Sequence, residues 1–204
     1  MSQPPAKARI LYLDHTSHLG GAERSLLDLL ERLDRDRLEP ILATSGGGPL
    51  VDRARALGIE VMVMSVGDKA LELSREAWQD RPWRVLWQAR GFAREIARLV
   101  RLVRARRIEA IHTNTLKAHV IGSIVAFLSR RPIIWHMRDL PSSRGDARRL
   151  LARFFALVRP GIVAISEAVA ADMPPGMRAR TRVVYNGIDL SRSDARAAEP
   201  PAGP

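Results

Sequence analysis

Residues 10–23 of this chain read ILYLDHTSHLGGAE, an apolar run, a short loop and two adjacent glycines. An amphipathic segment begins at Ala22, so the order is that of a β-strand, a turn and a helix N-terminus. Gly20 and Gly21 let the backbone approach a ligand without a side chain in the way. The amide groups at the start of the next helix favour an anion such as a phosphate. We therefore predict that Gly20 and Gly21 bind phosphate, with an ordinary strand-to-helix turn as the alternative.

The alternation of strands and helices continues along most of the chain. Because many of the predicted strands are apolar throughout, they indicate an α/β fold: a single doubly wound, mostly parallel, Rossmann-like sheet covered by helices on both faces. The predicted strands span residues 9–14, 39–44, 59–64, 109–112, 132–136, 161–165 and 181–185. The predicted helices span residues 22–33, 50–57, 82–107, 116–128, 146–158 and 166–172.

Ligands of doubly wound sheets bind beyond the carboxyl ends of the strands, and polar residues follow several strands here. They include Asp14, Thr44, His112, Asn114, His136, Arg138, Asp139 and Ser166. The dinucleotide fingerprint G-x-G-x-x-G is absent, and no acidic residue ends the second strand, so a nicotinamide or flavin enzyme is disfavoured. No His and carboxylate cluster has metal-ligand spacing, and we expect no metal.

The amino-acid composition limits the kinds of partner and site that the chain can have. The net charge is +11, carried almost entirely by arginine, which favours an anionic partner. The chain has no cysteine, which excludes disulfides, thiolate metal sites and cysteine nucleophiles. Charge alone also suggests nucleic-acid binding, but no helix-turn-helix, zinc or RNA-recognition signature is present, so that partner is disfavoured.

The ends of the chain show no targeting segment. Residues 1–7 are polar, no signal peptide is visible, and no apolar run has the roughly 18 residues of a spanning helix. We predict a cytoplasmic protein that touches the inner face of a membrane. Residues 1–190 form one predicted domain, and residues 191–204, rich in Ala, Pro and charge, form a predicted linker or disordered tail.

The predicted helix 82–107 carries two stripes. One is apolar and includes Ala93, Ile96 and Val103, as expected for a helix that covers the sheet. The other is basic, and a basic amphipathic helix can also lie on an anionic membrane. Both interpretations are compatible if the apolar stripe faces inward. The membrane-facing arginines would be Arg90, Arg94, Arg98 and Arg101, flanked by Trp83, Trp87 and Phe92.

Four motifs resemble the amino-terminal domain of family 4 glycosyltransferases, which are retaining enzymes of the GT-B fold. The likeness runs over roughly residues 8–190. The motifs are Gly20-Gly21-Ala22-Glu23, His112-Thr113-Asn114 with Lys117-Ala118, Trp135-His136-Met137-Arg138-Asp139, and Val183-Val184-Tyr185-Asn186-Gly187-Ile188-Asp189.

The resemblance implies roles for these residues. Gly20 and Gly21 are expected at the phosphates of a nucleotide sugar. His136 and Asp139 are expected to be catalytic, with His136 beside the transferred sugar and Asp139 either orienting it or capping the next loop. Acceptor-cleft roles are expected for Glu23, His112, Asn114 and Arg138; helix capping for Glu23 and core packing for His112 are the alternatives. Asn186 and Gly187 are read as hinge turn residues. No metal or other cofactor is expected.

The predicted function is transfer of a hexosyl unit from a nucleotide sugar to a lipid-linked or polysaccharide acceptor in envelope glycan synthesis. The resemblance implies a second, donor-binding domain, which this sequence does not contain. A longer chain or a separate donor-domain subunit is therefore expected to complete the enzyme. The alternative is a non-catalytic module that binds a polyanionic or lipid-linked acceptor.

Overall fold

The computed structural model describes residues 7–64, 82–144 and 147–187, without the side chains of residues 82–89, 144 and 147. Several predictions lie outside the described residues. They are the tail 191–204, the Ile188-Asp189 end of the last motif and the side chains of Trp83 and Trp87.

Seven strands form one sheet in the order β3-β2-β1-β4-β5-β6-β7, and every pairing is parallel. All seven predicted strands are confirmed, with ends shifted by one or two residues. Their bounds are β1 Ala8–Leu13, β2 Leu38–Ser45, β3 Glu60–Met64, β4 Ala110–Thr113, β5 Ile133–Met137, β6 Gly161–Ala164 and β7 Thr181–Val183.

The order in which strands are added to the sheet reverses between β1 and β4. From β1 the chain builds outward to β2 and β3, and it then returns to place β4 on the other side of β1. The carboxyl ends of β1 and β4 therefore flank the topological switch point, where doubly wound sheets bind their ligands. Asp14 and Asn114 follow these two strands directly.

Helices cover both faces of the sheet, as predicted. Leu11 and Leu13 of β1 pack into a core with Val103, Val125 and other residues of the helices on one face. Tyr12, between them, packs into a second core with Leu26 and Leu30 on the other face. The helices are α1 Gly21–Glu31, α2 Pro49–Ala56, α3 Pro82–Ala105, α4 Leu116–Ser129, α5 Ala147–Val158, α6 Glu167–Ala171 and α7 Pro175–Arg178.

Helix α3 turns its apolar stripe toward the sheet. Ile96, Leu99, Val100 and Val103 are buried in the core, whereas Ala93, which the predicted stripe included, is exposed. Within the described residues, no helix combines the length and the apolar composition needed to cross a bilayer.

Two short elements were not predicted. The segment after β5 makes a 3-10 turn at Pro141–Arg144, and α7 is a single helical turn. Both contain proline and small or polar residues, which by pattern alone indicate loops.

Gly122 brings α4 close to the sheet. A methyl group on this residue would overlap the side-chain methyl of Thr113 in β4 and would press on Ile133 and Leu13. Only glycine lets the two backbones approach this closely.

Left-handed residues end four of the helices. Gly58 has a φ of +71° just after α2, a conformation typical of a glycine that caps a helix. The corresponding residues after α3, α4 and α5 are Arg107, Arg130 and Arg159, with φ values of +52°, +56° and +44°. These three arginines lie at the amino ends of β4, β5 and β6, whereas Asp14 and Asn114 lie at the opposite, carboxyl ends of the strands.

Candidate functional site

The carboxyl ends of β1, β4 and β5 bring the four sequence motifs together. Asn114 follows β4, His136 and Arg138 lie at the end of β5, and Ser25 faces them from α1. The segment after β7 reaches the same place, because Oδ1 of Asn186 accepts a hydrogen bond from Ser25 Oγ at 3.0 Å. Residues far apart in sequence thus form one polar cluster.

The glycine loop starts α1. Gly20 and Gly21 are both exposed. The Gly20 N–H donates to Oε2 of Glu23 at 2.8 Å, so the buried Glu23 carboxylate caps its own helix. The next amide groups of the first turn have no partner within the helix. They are the ones available to a phosphate, while the roles of Gly20, Gly21 and Glu23 toward a ligand stay predictions.

Asn114 lies beneath the site. Its Nδ2 donates to Oδ2 of Asp14 at 2.8 Å and to the backbone carbonyl of Ala22 at 3.1 Å. Asp14 is fully buried and also accepts from the Thr16 amide at 3.2 Å. Asn114 itself is buried, so its side chain connects β1, β4 and α1 from inside. An acceptor-cleft role for Asn114 stays a prediction.

Arg138 connects three of the four motifs with each other and with Ser25 of α1. Its Nε donates to Oδ1 of Asn114 at 2.6 Å, and one terminal nitrogen donates to Ser25 Oγ at 2.8 Å and to Asn186 Oδ1 at 3.2 Å. The other terminal nitrogen lies 3.4 Å from Nδ1 of His136. Burial lowers the pKa of Arg138 to about 10, against the opposing effect of nearby carboxylates, so the guanidinium stays charged at neutral pH.

His136 and His112 form a neutral pair. Nε2 of His112 lies 3.2 Å from Nδ1 of His136, and the ring centroids are 5.3 Å apart. Burial, and then the charge of Arg138, lowers the pKa of His112 to about 4 and that of His136 to about 3. Tyr12 packs against His112 with a centroid distance of 4.9 Å, and burial raises the pKa of Tyr12 to about 12.

Nε2 of His136 is buried and has no hydrogen-bond partner within the part of the chain that the structure describes. His136 also lines a pocket of about 220 Å³ between α1 and the segment after β7. A buried N–H or ring nitrogen without a partner is costly, so this atom is suited to a ligand. The pocket is lined by Ser25, Asp28, Leu29, Arg32, His136, Val184, Tyr185, Asn186 and Gly187.

Asp139 is exposed at the end of β5. Its carboxylate acts on Arg138, where it partly offsets the lowering of the pKa by burial. Nδ1 of His136 faces His112 and Arg138, and its Nε2 has no hydrogen-bond partner among the described residues. His112 and Arg138 therefore hold the orienting position that the sequence offered to Asp139. A catalytic role for Asp139 stays a prediction.

Sequence reasoning missed Ser25 and His119, and it read Asn186 only as a turn residue. His119 is a core residue: its Nδ1 lies 2.7 Å from Thr113 Oγ1, and its ring stacks on Trp135 at 5.5 Å. Burial lowers the pKa of His119 to about 3. Ser25 sits within an apolar helix pattern, and nothing local points to its contacts with Arg138 and Asn186.

No group of three or more His, Asp or Glu side chains that could hold a metal ion occurs among the described residues. The histidines of the site instead contact each other, Arg138 and aromatic rings. The expectation that the reaction needs no metal stays a prediction.

The family model for glycosyltransferase family 4 matches residues 19–192. The chain belongs to this family. Its parallel sheet and flanking helices form the Rossmann-like, amino-terminal half of a GT-B fold. No curated protein sequence gives a significant match.

Solved structures share the fold. HepE of Anabaena, crystallised with UDP, is 24% identical with a TM-score of 0.66 over 90% of this chain and 45% of that chain. A glycosyltransferase from Rickettsia africae is 14% identical with a TM-score of 0.63, over 96% and 47%. The lipopolysaccharide outer core galactosyltransferase WaaB is 10% identical with a TM-score of 0.58, over 89% and 46%. The chain thus spans about half the length of these proteins.

Proposed function

We propose that this chain is the acceptor-side domain of a retaining glycosyltransferase that moves a hexosyl unit from a nucleotide sugar to a lipid-linked or polysaccharide acceptor in envelope glycan synthesis. The observation that carries the proposal is that the buried Nε2 of His136 has no hydrogen-bond partner among the described residues, while His136 itself lines a pocket at the carboxyl ends of the strands. A sugar hydroxyl is a suitable partner for this atom.

Further support comes from the first turn of α1. Its amide groups and the positive end of its dipole lie next to the polar cluster and suit the phosphates of a donor. HepE has been crystallised with UDP and with UDP-glucose, in keeping with a nucleotide-sugar donor. In this scheme the charge that develops as the nucleotide leaves is stabilised by backbone amides, without a metal.

The proposed enzyme needs a donor domain, from a longer chain or from a partner subunit. The test is transfer of radiolabelled hexose from UDP-hexose by this chain joined to or mixed with its donor domain. His136→Gln is expected to lower kcat by at least tenfold. Ser129→Ala, on the opposite edge at the end of α4, is the control and should leave transfer unchanged. Full activity of His136→Gln would overturn the assignment.

The alternative, a non-catalytic binding module, is favoured by one observation, the exposed basic face of α3. Arg90, Arg94, Arg98 and Arg101 are all exposed there. A binding module would retain a polyanionic or lipid-linked acceptor when His136 is replaced, and it would show no transfer with any donor domain. The same basic face supports a location at the inner, cytoplasmic side of a membrane, where anionic headgroups are concentrated.

A further inference from the structure

The distance between His112 and His136 does not show which of the two rings donates the hydrogen bond. Nε2 of His112 lies 3.2 Å from Nδ1 of His136. A neutral imidazole has one N–H donor and one acceptor nitrogen, so either ring can donate across this distance. In one direction His136 carries its proton on Nδ1, and its buried Nε2 is an acceptor. In the other direction the proton is on Nε2, which is then a donor.

Arg138 removes this ambiguity. One terminal nitrogen of its guanidinium lies 3.4 Å from the same Nδ1 of His136. A guanidinium has five donors and no acceptor, so Nδ1 can bond to it only through its lone pair. The other contacts of Arg138, with Asn114, Ser25 and Asn186, hold the guanidinium in place from three directions.

We infer that Arg138 holds His136 in the Nε2–H tautomer, so that His136 offers a hydrogen-bond donor, and not a base, to an acceptor oxygen of the ligand. His112 must then donate from its Nε2 to Nδ1 of His136. Arg138 is a positioning residue in this scheme, because it contacts His136 and is not among the residues that line the pocket.

Burial and charge keep the imidazole neutral, which the tautomer requires. Burial, the charge of Arg138 and the neighbouring His112 lower the pKa of His136 to about 3. At neutral pH the ring therefore carries one proton, and its position is set by the contacts of Nδ1. A buried Nε2–H without a protein partner selects ligands with a hydroxyl, carbonyl or phosphoryl oxygen at this place.

The identity of the ligand rests on the proposed function, but the tautomer does not. Long-range ¹H–¹⁵N NMR of the histidine-labelled chain at neutral pH distinguishes a protonated ring nitrogen from an unprotonated one. The His136 signals are assigned by their loss in His136→Gln. We expect a protonated Nε2 and an unprotonated Nδ1. A protonated Nδ1 in the wild-type chain would overturn the inference, whatever the outcome of the transfer assay.

Variants of Arg138 test its part. In Arg138→Met, Nδ1 of His136 loses the cation, His112 becomes free to accept, and a measurable fraction of the Nδ1–H tautomer is expected. Arg138→Lys keeps a cation without acceptor atoms and should retain Nε2–H. An unchanged tautomer in a folded Arg138→Met chain, judged by its amide spectrum, would show that Arg138 does not set it.

A variant of His112 keeps the test open if Arg138→Met does not fold. His112→Phe leaves Arg138 as the remaining described partner of Nδ1, and Nε2–H should persist. A mixture of tautomers in His112→Phe would mean that Arg138 is insufficient, and it would overturn the inference. Transfer activity enters neither readout, so failure of the proposed glycosyl transfer and failure of this inference are distinguishable.

Discussion

The side-chain amide of Asn114 donates a hydrogen bond from Nδ2 to Oδ2 of Asp14 at 2.8 Å, and both side chains are buried at the switch point of the sheet. The bond joins β1 to β4 at the place where their loops diverge. It also gives the buried Asp14 carboxylate one of its partners; the Thr16 amide donates to Oδ1 at 3.2 Å, and Nδ1 of His15 lies 3.6 Å from the same oxygen. The candidate site thus lies above a buried polar contact at the switch point of the sheet.

Removal of this partner should be costly. We expect Asn114→Ala to lower the free energy of unfolding by about 2 kcal/mol or more, because it leaves a buried carboxylate short of a donor. Urea denaturation measures the change. Asn186→Ala is the matched control, since the exposed Asn186 side chain is replaced by water and about 0.5 kcal/mol or less is expected. Equal losses in the two variants would contradict the role given to the buried contact.

Two glycines in helices should respond in opposite directions to alanine. Gly122→Ala is expected to lower the free energy of unfolding by about 1–3 kcal/mol, because the new methyl overlaps Thr113. In Gly91→Ala, the new methyl in α3 meets no described atom within 4 Å beyond its own helix backbone, so it should raise stability by about 0.5–1 kcal/mol through helix propensity. Thermal denaturation of both variants gives the comparison, and a stabilised Gly122→Ala chain would disprove the close approach of α4.

Stability should fall in mild acid. Folding lowers the pKa of His112, His119 and His136 from 6.5 to about 4, about 3 and about 3. Below pH 6.5 the unfolded chain therefore binds protons that the folded chain does not, so stability decreases as pH falls from about 6.5 toward 4. The slope is on the order of 1 kcal/mol per pH unit for each histidine.

Urea unfolding across this pH range measures the effect. His119→Gln removes one of the three titrating groups from the core and should reduce the slope. His18→Gln changes an exposed histidine and serves as the control. A slope that is the same in His119→Gln as in the wild-type chain would mean that His119 is not held neutral by the fold.

Binding to anionic membranes should depend on the exposed face of α3. We expect Arg94→Gln/Arg101→Gln to reduce sedimentation with phosphatidylglycerol vesicles several-fold, since each basic residue near such a surface contributes about 1 kcal/mol. Arg53→Gln/Arg55→Gln on α2 removes the same charge from exposed positions on the other face. Arg98 is not replaced in this test, because its guanidinium lies 3.7 Å from the buried Glu95 carboxylate and its loss would also affect that ion pair. Equal binding to neutral and anionic vesicles, or no binding, would refute the membrane contact.

The fold could be predicted because its signals are local. Apolar runs such as Ile10–Leu13 need no partner to be recognised as strands, and the turn glycines mark their ends. The contact between His112 and His136 was not predicted; it arises because β4 and β5 are neighbours in the sheet. The single turn of α7 could not be found, because four residues are too few to show a helical period.

The hydrogen bonds within the candidate site could not be predicted from local sequence patterns. Ser25 and Asn186 are separated by 161 residues, and they meet only because the segment after β7 crosses back to α1. Glu23 illustrates the converse: its position in the first turn predicts the cap that the structure shows, and that local role uses Oε2 of the carboxylate. The motif of residues 135–139 marked Arg138 as a candidate, but its hydrogen bonds to Asn114, Ser25 and Asn186 are visible only in the tertiary structure.

Three of the many arginines, Arg107, Arg130 and Arg159, adopt a left-handed backbone conformation after a helix. At Gly58 the backbone adopts this conformation at no steric cost, whereas each of Arg107, Arg130 and Arg159 gives up about 1 kcal/mol or more to do the same. At the amino ends of β4, β5 and β6, backbone stability is therefore given up at three positions that place an exposed arginine after the carboxyl end of a helix. Replacing Arg107, Arg130 and Arg159 with glycine should stabilise this domain. The same substitutions would remove three positive charges from the amino ends of β4, β5 and β6.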